Sequence, residues 1–297
     1  MRKNYGPAYV APLTVWIGLF FVIPISIILY YSFLKKGFNG GVVHEFSLDA
    51  FRALYNPTIF KIALNTLWVA LASTAVMVAL AIPAAYYMAR SRHKNLFMLL
   101  VIIPFWTNFL IRIYAWMAIL GNNGILNSLL LSAGMVERHI QFLYNINAVI
   151  MVTIYTYLPF AILPLYSTIE KFDFSLVEAA RDLGATKLTA TMRVLLPNIR
   201  GGITTAVLFT FIPAFGNYAI PQIIGGSDSY MLGNVIAREL TVTRNWPLAS
   251  SISMALTALT TLGVLLFMRL NRSAQEHARE SARAPSRARP AGTGGRA

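Results

Sequence analysis

The residues best suited to chemistry are concentrated in residues 170–201, between two strongly apolar segments. The charged side chains of this stretch are Glu170, Lys171, Asp173, Glu178, Arg181, Asp182, Lys187, Arg193 and Arg200. Each would cost roughly 2.5–3.5 kcal/mol inside hydrocarbon, so the stretch must lie in water while its neighbours cross a membrane. It offers charge and hydrogen-bond contacts rather than a nucleophile with a base. Such a segment is suited to passing force from a soluble partner to membrane helices.

Local signals predict two short helices within this stretch. Ser175, with Glu178 three residues later, predicts a capping box at the start of the first helix. Gly184 supplies the turn that follows this helix. Residues 187–196 are predicted to form the second helix, which Pro197 ends because proline cannot continue a helix. The predicted structure is a helical bracket held by the membrane at both ends.

A longer pattern in the same stretch resembles the "EAA" loop of bacterial ABC-importer permeases. The residues that carry the resemblance are Glu178-Ala179-Ala180, Gly184 and Val194-Leu195-Leu196-Pro197; the family usually has Ile at the position of Val194. In that family the loop docks into a cleft on a cytosolic ABC ATPase dimer and couples nucleotide turnover to pore opening. The resemblance assigns coupling to Glu178, Ala179, Ala180, Asp182, Gly184, Leu196 and Pro197. The alternative is an ordinary amphipathic surface loop.

Composition limits the remaining function classes. Of the 297 residues, 57% are hydrophobic and 12% are charged, and the mean hydropathy is +0.59, which indicates an integral membrane protein. The sequence contains no cysteine, so thiolate chemistry and disulfides are excluded. Its four histidines have no metal-ligand spacing, so no metal site is expected. Because no P-loop pattern occurs, ATP and its magnesium must be bound by a partner subunit and not by this chain.

Six apolar segments are long enough to cross the ~30 Å hydrocarbon core of a bilayer. They cover residues 9–31, 62–89, 96–120, 146–168, 203–224 and 248–270. Residues 125–144 are predicted to hold a short interfacial helix that does not cross. The first segment also resembles a signal peptide, but it is too long and no small-residue cleavage site follows, so we expect an uncleaved anchor.

The placement of basic residues orients these spans. With a cytoplasmic segment 1–8, 17 of the 25 Lys and Arg residues lie on the inner side and seven on the outer side. Both termini and loop 170–201 are therefore predicted to be cytosolic. The basic tail, residues 271–297, is predicted to be disordered; it either contacts anionic membrane lipid or only adds to the charge bias. Nucleic-acid binding is not expected, because no aromatic residues are interleaved with the arginines.

Three features inside the spans indicate where a solute crosses. Prolines interrupt the helices and supply bend points, at Pro83, Pro104, Pro159, Pro164, Pro213 and Pro221. Arg112 lies deep in the third span, where it serves either the pathway or a structural hydrogen bond. Residues 215–222 combine glycine, proline and two amides, which predicts a broken, polar-lined segment. The candidate pathway residues are Trp106, Asn108, Arg112, Tyr114, Trp116, Asn217, Tyr218 and Gln222.

A narrower resemblance covers nearly the whole chain except the tail. Residues 104–116, Ile224-Gly225-Gly226 and Asn245-Trp246-Pro247 with Ala249 resemble the spermidine/putrescine subfamily of importer permeases. The resemblance implies an all-α membrane protein with six transmembrane helices, the type I ABC-importer permease fold, in a bacterial inner membrane. It also implies a second homologous permease, two ATPase subunits and an extracytoplasmic solute-binding protein.

The resemblance implies that the solute moved into the cytosol is a polyamine, spermidine or putrescine, with an opine or another amino-acid-like solute as the alternative. In that subfamily acids often stand where this chain has Asn217, Gln222 and Asn245, and no Asp or Glu lies in the six spans. Aromatic faces can host a polycation, but related permeases transport opines and other amino-acid-like solutes. An ion-coupled secondary transporter is a distant alternative, because that class needs intramembrane Asp, Glu or His. A membrane enzyme is not expected, because no catalytic constellation lies at membrane depth.

Overall fold

The computed structural model describes residues 6–283, with side chains described for residues 10–269, and nearly all of this length is helical or in short connections. Most of the predicted N-terminal segment, residues 1–5, lies outside the described residues. The same holds for residues 284–297 of the predicted disordered tail.

The chain begins with an apolar rod and a small hairpin. Helix α1 (Gly6–Ile17), a π-helical turn (Gly18–Val22) and helix α2 (Ile23–Ser32) are continuous. Strand β1 (Leu34–Lys36) then pairs antiparallel with β2 (Val42–Phe46), and helix α3 (Asp49–Ala53) follows. This two-stranded hairpin is a local departure from the predicted all-α architecture, which the rest of the described chain follows. The glycines at 40 and 41, with φ of 91° and 78°, supply its turn, and valines 42 and 43 favour a strand.

The second predicted span is one long helix, but the third is broken. Helix α4 runs Pro57–Arg90, α5 runs Lys94–Ile102 into a 3₁₀ turn (Ile103–Trp106), and α6 runs Phe109–Leu120. The predicted span over 96–120 is divided into two helices, and the division at Thr107–Asn108 lies three residues after the predicted bend point Pro104. Thr107 is extended, and Asn108 starts a new helix by accepting the Leu110 N–H at 2.8 Å. In the predicted interfacial region only helix α7 (Ile125–Ser132) forms. Because α6 and α7 together, Phe109–Ser132, are long and apolar enough to cross a membrane, length and composition contradict the prediction that α7 lies outside the spans.

The second half of the chain contains the coupling stretch and three further long helices. The elements are α8 (Ile146–Ile169), α9 (Ser175–Asp182), α10 (Lys187–Ala190), a π turn (Thr191–Leu195), α11 (Leu196–Asn198), α12 (Arg200–Phe215), α13 (Ala219–Ile224), α14 (Leu232–Thr241) and α15 (Trp246–Arg283). The fifth predicted span breaks after Phe215, as residues 215–222 predicted. Helix α15 continues to Arg283, so the predicted disorder is wrong for residues 271–283, which contain helix formers and neither Pro nor Gly.

Helices α4, α8 and α12 pack on one another and form the centre of the bundle. Small residues lie at their contacts, and Ala81, Ala161 and Ala206 are completely buried there. In a membrane, where lipid is as apolar as a leucine side chain, such residues let helix backbones approach closely. The centre of the bundle thus positions the two ends of loop 170–201, which connects α8 with α12.

By length and composition, five helices in the described part of the chain can cross a membrane, or six if the bent pair formed by residues 187–198 and α12 counts as one span. The first of these spans, Val10–Ser32, has no buried residue in its most apolar window. The chain forms two compact units, and the first of them ends at Ala258. The second unit, described by itself, is the remaining length of helix α15 up to Arg283.

Candidate functional site

The loop that carries the predicted coupling residues is closed at its base. A Cβ atom added to Gly202 in α12 would lie 2.5 Å from Oγ1 and 2.8 Å from Cβ of Thr168 in α8. The Thr168 side chain therefore lies directly against the backbone of Gly202. Ile169 and Ile199, which flank the contact, are completely buried. The chain leaves the bundle and returns to it at one place.

Helix α9 begins in a different way from the prediction. Phe174 holds the N-cap position without a side-chain hydrogen bond, and Asp173 Oδ1 accepts the Ser175 N–H at 3.0 Å. Hydrogen bonds from Ser175 hold the pKa of Asp173 below its usual value. A carboxylate replaces the predicted serine cap because its charge strengthens the bond and suits a helix N-terminus. The capping box between Ser175 and Glu178 is therefore wrong, and Glu178 is exposed to solvent.

Gly184 ends helix α9, as the sequence predicted. Its φ is +90°, a conformation that L side chains rarely adopt. The Gly184 N–H donates to the Arg181 carbonyl at 2.9 Å, and the Ala185 N–H donates to the Ala180 carbonyl at 3.0 Å. This pair of bonds is a Schellman motif. It fixes the direction in which the chain leaves α9.

Pro197 does not end the second half of the loop. The run from α10 to α11 is helical through Asn198, and the break comes at Ile199, where the axis turns by 74° into α12. In the π turn the Leu196 N–H donates to the Thr191 carbonyl. This wider turn accommodates a residue that has no N–H and would crowd a normal α-turn. The prediction that Pro197 terminates the helix is therefore wrong.

The loop has a buried apolar face and an exposed polar face. Val177, Ala190 and Leu195 belong to the same buried cluster as residues of α4 and α8. The exposed members of the predicted coupling set are Glu178, Ala179, Asp182 and Gly184. The half-buried members are Ala180, Leu196 and Pro197. Leu183 is 91% exposed. A leucine held in water beside charges on a rigid base is typical of a surface that binds another protein.

The exposed charges of α9 have no counter-ion in the described part of the chain. Glu178, Arg181 and Asp182 line one open depression together with Thr186. None of the three forms an ion pair with another described residue. Their hydrogen-bonding capacity is available to a partner.

A second group of side chains ties the entrance of the loop to neighbouring helices. Lys94 Nζ lies 2.7 Å from Glu170 Oε1, which also accepts a hydrogen bond from Tyr166 at 2.9 Å. These two bonds hold the pKa of Glu170 below its usual value of 4.5. The Arg90 guanidinium lies 5.1 Å from the centre of the Phe174 ring. We name these five residues the cytoplasmic clasp.

The candidate pathway residues of the third span surround its break. Trp106, Asn108 and Tyr114 are exposed, and Trp116 packs edge-on against Tyr155 with ring centres 5.2 Å apart. The Arg112 guanidinium lies 5.7 Å from the ring of Phe105 and 6.0 Å from that of Phe109. Its buried Nε has no hydrogen-bond partner among the described residues. The structure therefore places Arg112 on aromatic faces, and no acid within the described ranges forms an ion pair with it.

The candidate residues of the fifth span lie at the break between α12 and α13. Asn217 is buried and its Oδ1 accepts the Ile220 N–H at 3.2 Å. Tyr218 and Gln222 are exposed and are joined by Asn234, whose amide donates to the Tyr218 carbonyl at 2.9 Å and to Gln222 Oε1 at 3.0 Å. Sequence reasoning missed Asn234, although an asparagine within an amphipathic helix was an available signal.

The two groups of pathway residues belong to neighbouring elements. Helix α13 packs on α6 through a buried cluster that includes Ile113, Ile220 and Ile224. Among the described side chains, no hydrogen bond joins the two groups directly. Tyr218, Gln222 and Asn234 line an open cavity of about 320 Å³ with Tyr230 and Arg238. No group of three or more described His, Cys, Asp or Glu residues is arranged to hold a metal ion.

Bent and broken spans around a water-exposed helical loop define a multi-span transport permease. Residues 77–278 match the family described as binding-protein-dependent transport system inner membrane component. The chain is 37% identical over 274 residues to the spermidine/putrescine transport system permease protein PotB of Haemophilus influenzae, covering 92% of this chain and 96% of the relative. It is 38% identical over 259 residues to PotB of Escherichia coli K12, covering 86% and 94%.

The fold is also similar to that of a solved structure. A chain of a bacterial ABC transporter involved in the import of the acidic polysaccharide alginate superposes with a TM-score of 0.73 at 17% identity, over 90% of this chain and 94% of that chain. The chain therefore belongs to the family of inner-membrane components of binding-protein-dependent transport systems. The predicted type I permease fold, inner-membrane location and non-enzymatic transport role are confirmed.

Proposed function

We propose that this chain is the permease subunit through which an importer moves a polyamine, of the spermidine or putrescine type, into the cytosol. A separate ABC ATPase dimer binds ATP and Mg²⁺ and docks on loop 170–201. A second homologous permease completes the pore, and an extracytoplasmic binding protein delivers the solute. The similarity to two PotB proteins over most of both chains supports the solute class.

The coupling role of loop 170–201 rests on its geometry. Glu178, Asp182 and Leu183 are exposed, while the opposite face of α9 is buried through Val177. The two acids have no ion-pair partner among the described residues. A rigid base with unsatisfied charge at its tip suits docking, because a partner meets a fixed surface and loses little entropy in binding it. The 74° bend at the end of the loop connects the docked segment directly to α12.

The pathway residues of this chain offer aromatic surface to a flexible solute, but they offer no carboxylate to balance the charge of a cationic one. Exposed aromatic rings of Trp106, Tyr114 and Tyr218 can host ammonium groups by cation–π contact. Arg112 forms no ion pair with any acid that the structure describes, so it opposes a cation and favours the second candidate, an amino-acid-like or opine solute. For a polyamine, the second permease must supply the carboxylates.

Uptake by cells that lack the gene, compared with cells in which it is restored, tests the solute. We expect gene-dependent uptake of labelled spermidine or putrescine that unlabelled opines and amino acids do not compete. Uptake only of an amino-acid-like solute would replace the polyamine proposal with the second candidate.

The coupling proposal has its own variant test. Glu178→Arg places a positive charge where we expect docking, so it should abolish uptake and solute-stimulated ATP hydrolysis while membrane insertion stays normal. Glu137→Arg, the same change at an exposed acid far from the loop in sequence, is the matched control and should transport normally. Normal transport by Glu178→Arg would refute the docking role.

A further inference from the structure

The cytoplasmic clasp connects three segments that are distant in sequence. Glu170 is the C-cap of α8, and Lys94, 76 residues earlier, is the first residue of α5. Their charges meet at 2.7 Å, and Tyr166 donates to the same carboxylate oxygen. The ion pair therefore joins the start of α5 to the point at which the chain turns into loop 170–201.

Aromatic contacts extend the clasp to the end of α4. Phe174, the N-cap residue of α9, carries the Arg90 guanidinium on its ring and meets Tyr86 edge-on, with ring centres 5.8 Å apart. Phe172 packs edge-on against the same ring at 5.4 Å. Each end of the segment 170–174 is thus fixed to a different helix, Glu170 to α5 and Phe174 to α4. A displacement of α9 must move these contacts or break them.

Helix α5 packs on the bundle without a fully buried side chain, whereas α4 and α8 contain many. Phe97, Met98 and Val101 lie half-buried against the central cluster, and Phe97 meets Tyr87 of α4 edge-on with ring centres 5.4 Å apart. The far end of α5 is the 3₁₀ turn Ile103–Trp106, which is followed by the extended residues Thr107 and Asn108. A half-buried helix that is tied by an ion pair at one end and interrupted at the other can shift, about the interruption, together with the segment to which it is tied. The interruption lies beside Asn108 and Arg112, which are candidate pathway residues.

We infer that Lys94 and Glu170 are positioning residues that transmit movement of the coupling helix α9 to α5, and through α5 to the break at Thr107–Asn108. Arg90 and Phe174 hold the second attachment and keep segment 170–174 in line with α4. The inference rests on the proposed docking of an ATPase on loop 170–201. It adds a second route, through α5, by which docking reaches the third span; the first route is the bend from the loop into α12.

The test measures ATP hydrolysed per solute transported in proteoliposomes that contain the whole complex. Lys94→Met and Glu170→Gln should each raise this ratio by about fivefold, the low end of typical couplings between distant sites. Lys94→Arg should retain the normal ratio, and the charge-exchanged pair Lys94→Glu with Glu170→Lys should restore most of it. Arg92→Met, an exposed basic residue two positions earlier with no ion pair among the described residues, is the matched control.

Replacing the ion pair by a covalent cross-link tests whether its mechanical connection, and not its charge, is needed. Because the sequence has no cysteine, Lys94→Cys with Glu170→Cys can be linked by a short bis-maleimide without background. The unlinked pair should show the raised ratio, and linking should lower it again, since the two segments then move together. Arrest of transport by the link would overturn the inference, because it would mean that the two segments must separate.

Failure of the inference is distinguishable from failure of the proposed docking. If Glu178→Arg abolishes coupling but the Lys94 and Glu170 variants behave like Arg92→Met, the clasp plays no part and only the inference falls. If Glu178→Arg has no effect, the docking proposal itself falls. The amount of assembled complex is measured for each variant, so that a loss of folding is not read as a loss of coupling.

Discussion

Alanine in place of Gly202 tests whether loop 170–201 needs its closed base. The new methyl group would lie 2.5 Å from Oγ1 and 2.8 Å from Cβ of Thr168, whereas non-bonded carbon atoms normally rest about 3.5–4.0 Å apart. The Thr168 Cβ cannot rotate away, and its hydroxyl is bonded to the Pro164 carbonyl at 2.9 Å. Helices α8 and α12 must therefore separate by about 1 Å. Overpacking of this kind costs typically 1–3 kcal/mol, and we expect about 3 kcal/mol here.

Thermal unfolding of the purified protein in detergent measures this cost. At roughly 2 °C per kcal/mol for a chain of this size, Tm should fall by about 6 °C. Gly201→Ala is the control, because its added Cβ meets nothing within 4 Å and alanine gains roughly 0.5–1 kcal/mol over glycine in a helix. Thr168→Gly in the Gly202→Ala background removes the clashing atoms and should recover part of the loss. Equal Tm values for the two alanine variants would refute the reasoning.

Three further variants test other contacts. Gly184→Ala must adopt a φ near +90°, at a cost of about 1–2 kcal/mol. We expect the amide hydrogen of Ala185 to exchange faster in this variant, with a smaller increase in Gly184→Asn. An unchanged exchange rate would contradict the Schellman assignment. The pKa of Glu170 is lowered in the folded protein, so the stability that its ion pair contributes is present above pH 4.5 and is lost as pH falls through the lowered value. The Tm difference between wild type and Glu170→Gln should accordingly be constant from pH 8 to pH 6 and shrink in acid. A Tm difference that grows in acid would mean that folding raises the pKa of Glu170 and does not lower it. Asn234→Ala removes two donated hydrogen bonds and the one that Asn234 Oδ1 accepts from the Met231 N–H. It should cost about 1–3 kcal/mol and reduce uptake, which Tm and transport assays measure; normal uptake would exclude Asn234 from the pathway.

Features set by composition and local backbone chemistry were predictable from the sequence. The long apolar segments predicted the spans, and the Gly184 turn followed from the one residue type that adopts a positive φ easily. The break after Phe215 was visible because glycine, proline and amides are costly in a membrane helix. In each case a few neighbouring residues determine the structure.

Features that depend on competition or on distant contacts were not predictable. Asp173 and Ser175 could both cap α9, and the charge of the carboxylate decided between them. Pro197 reads as a helix terminator until a π turn opens the preceding turn. Asn234 gains its role from residues of α13, which no local pattern places beside it. The positions of the candidate coupling and pathway residues are now fixed by the structure, while their roles stay proposals.

The contact between Thr168 and Gly202 gives the coupling segment the form of a cassette. Its two ends leave the bundle side by side, so its exposed residues can change without altering the spacing of α8 and α12, while its buried face stays packed on the bundle. Segments with adjoining ends are the ones that proteins exchange most readily. Under the proposed docking, residues of loop 170–201 and residues of the spans can therefore change separately within one gene.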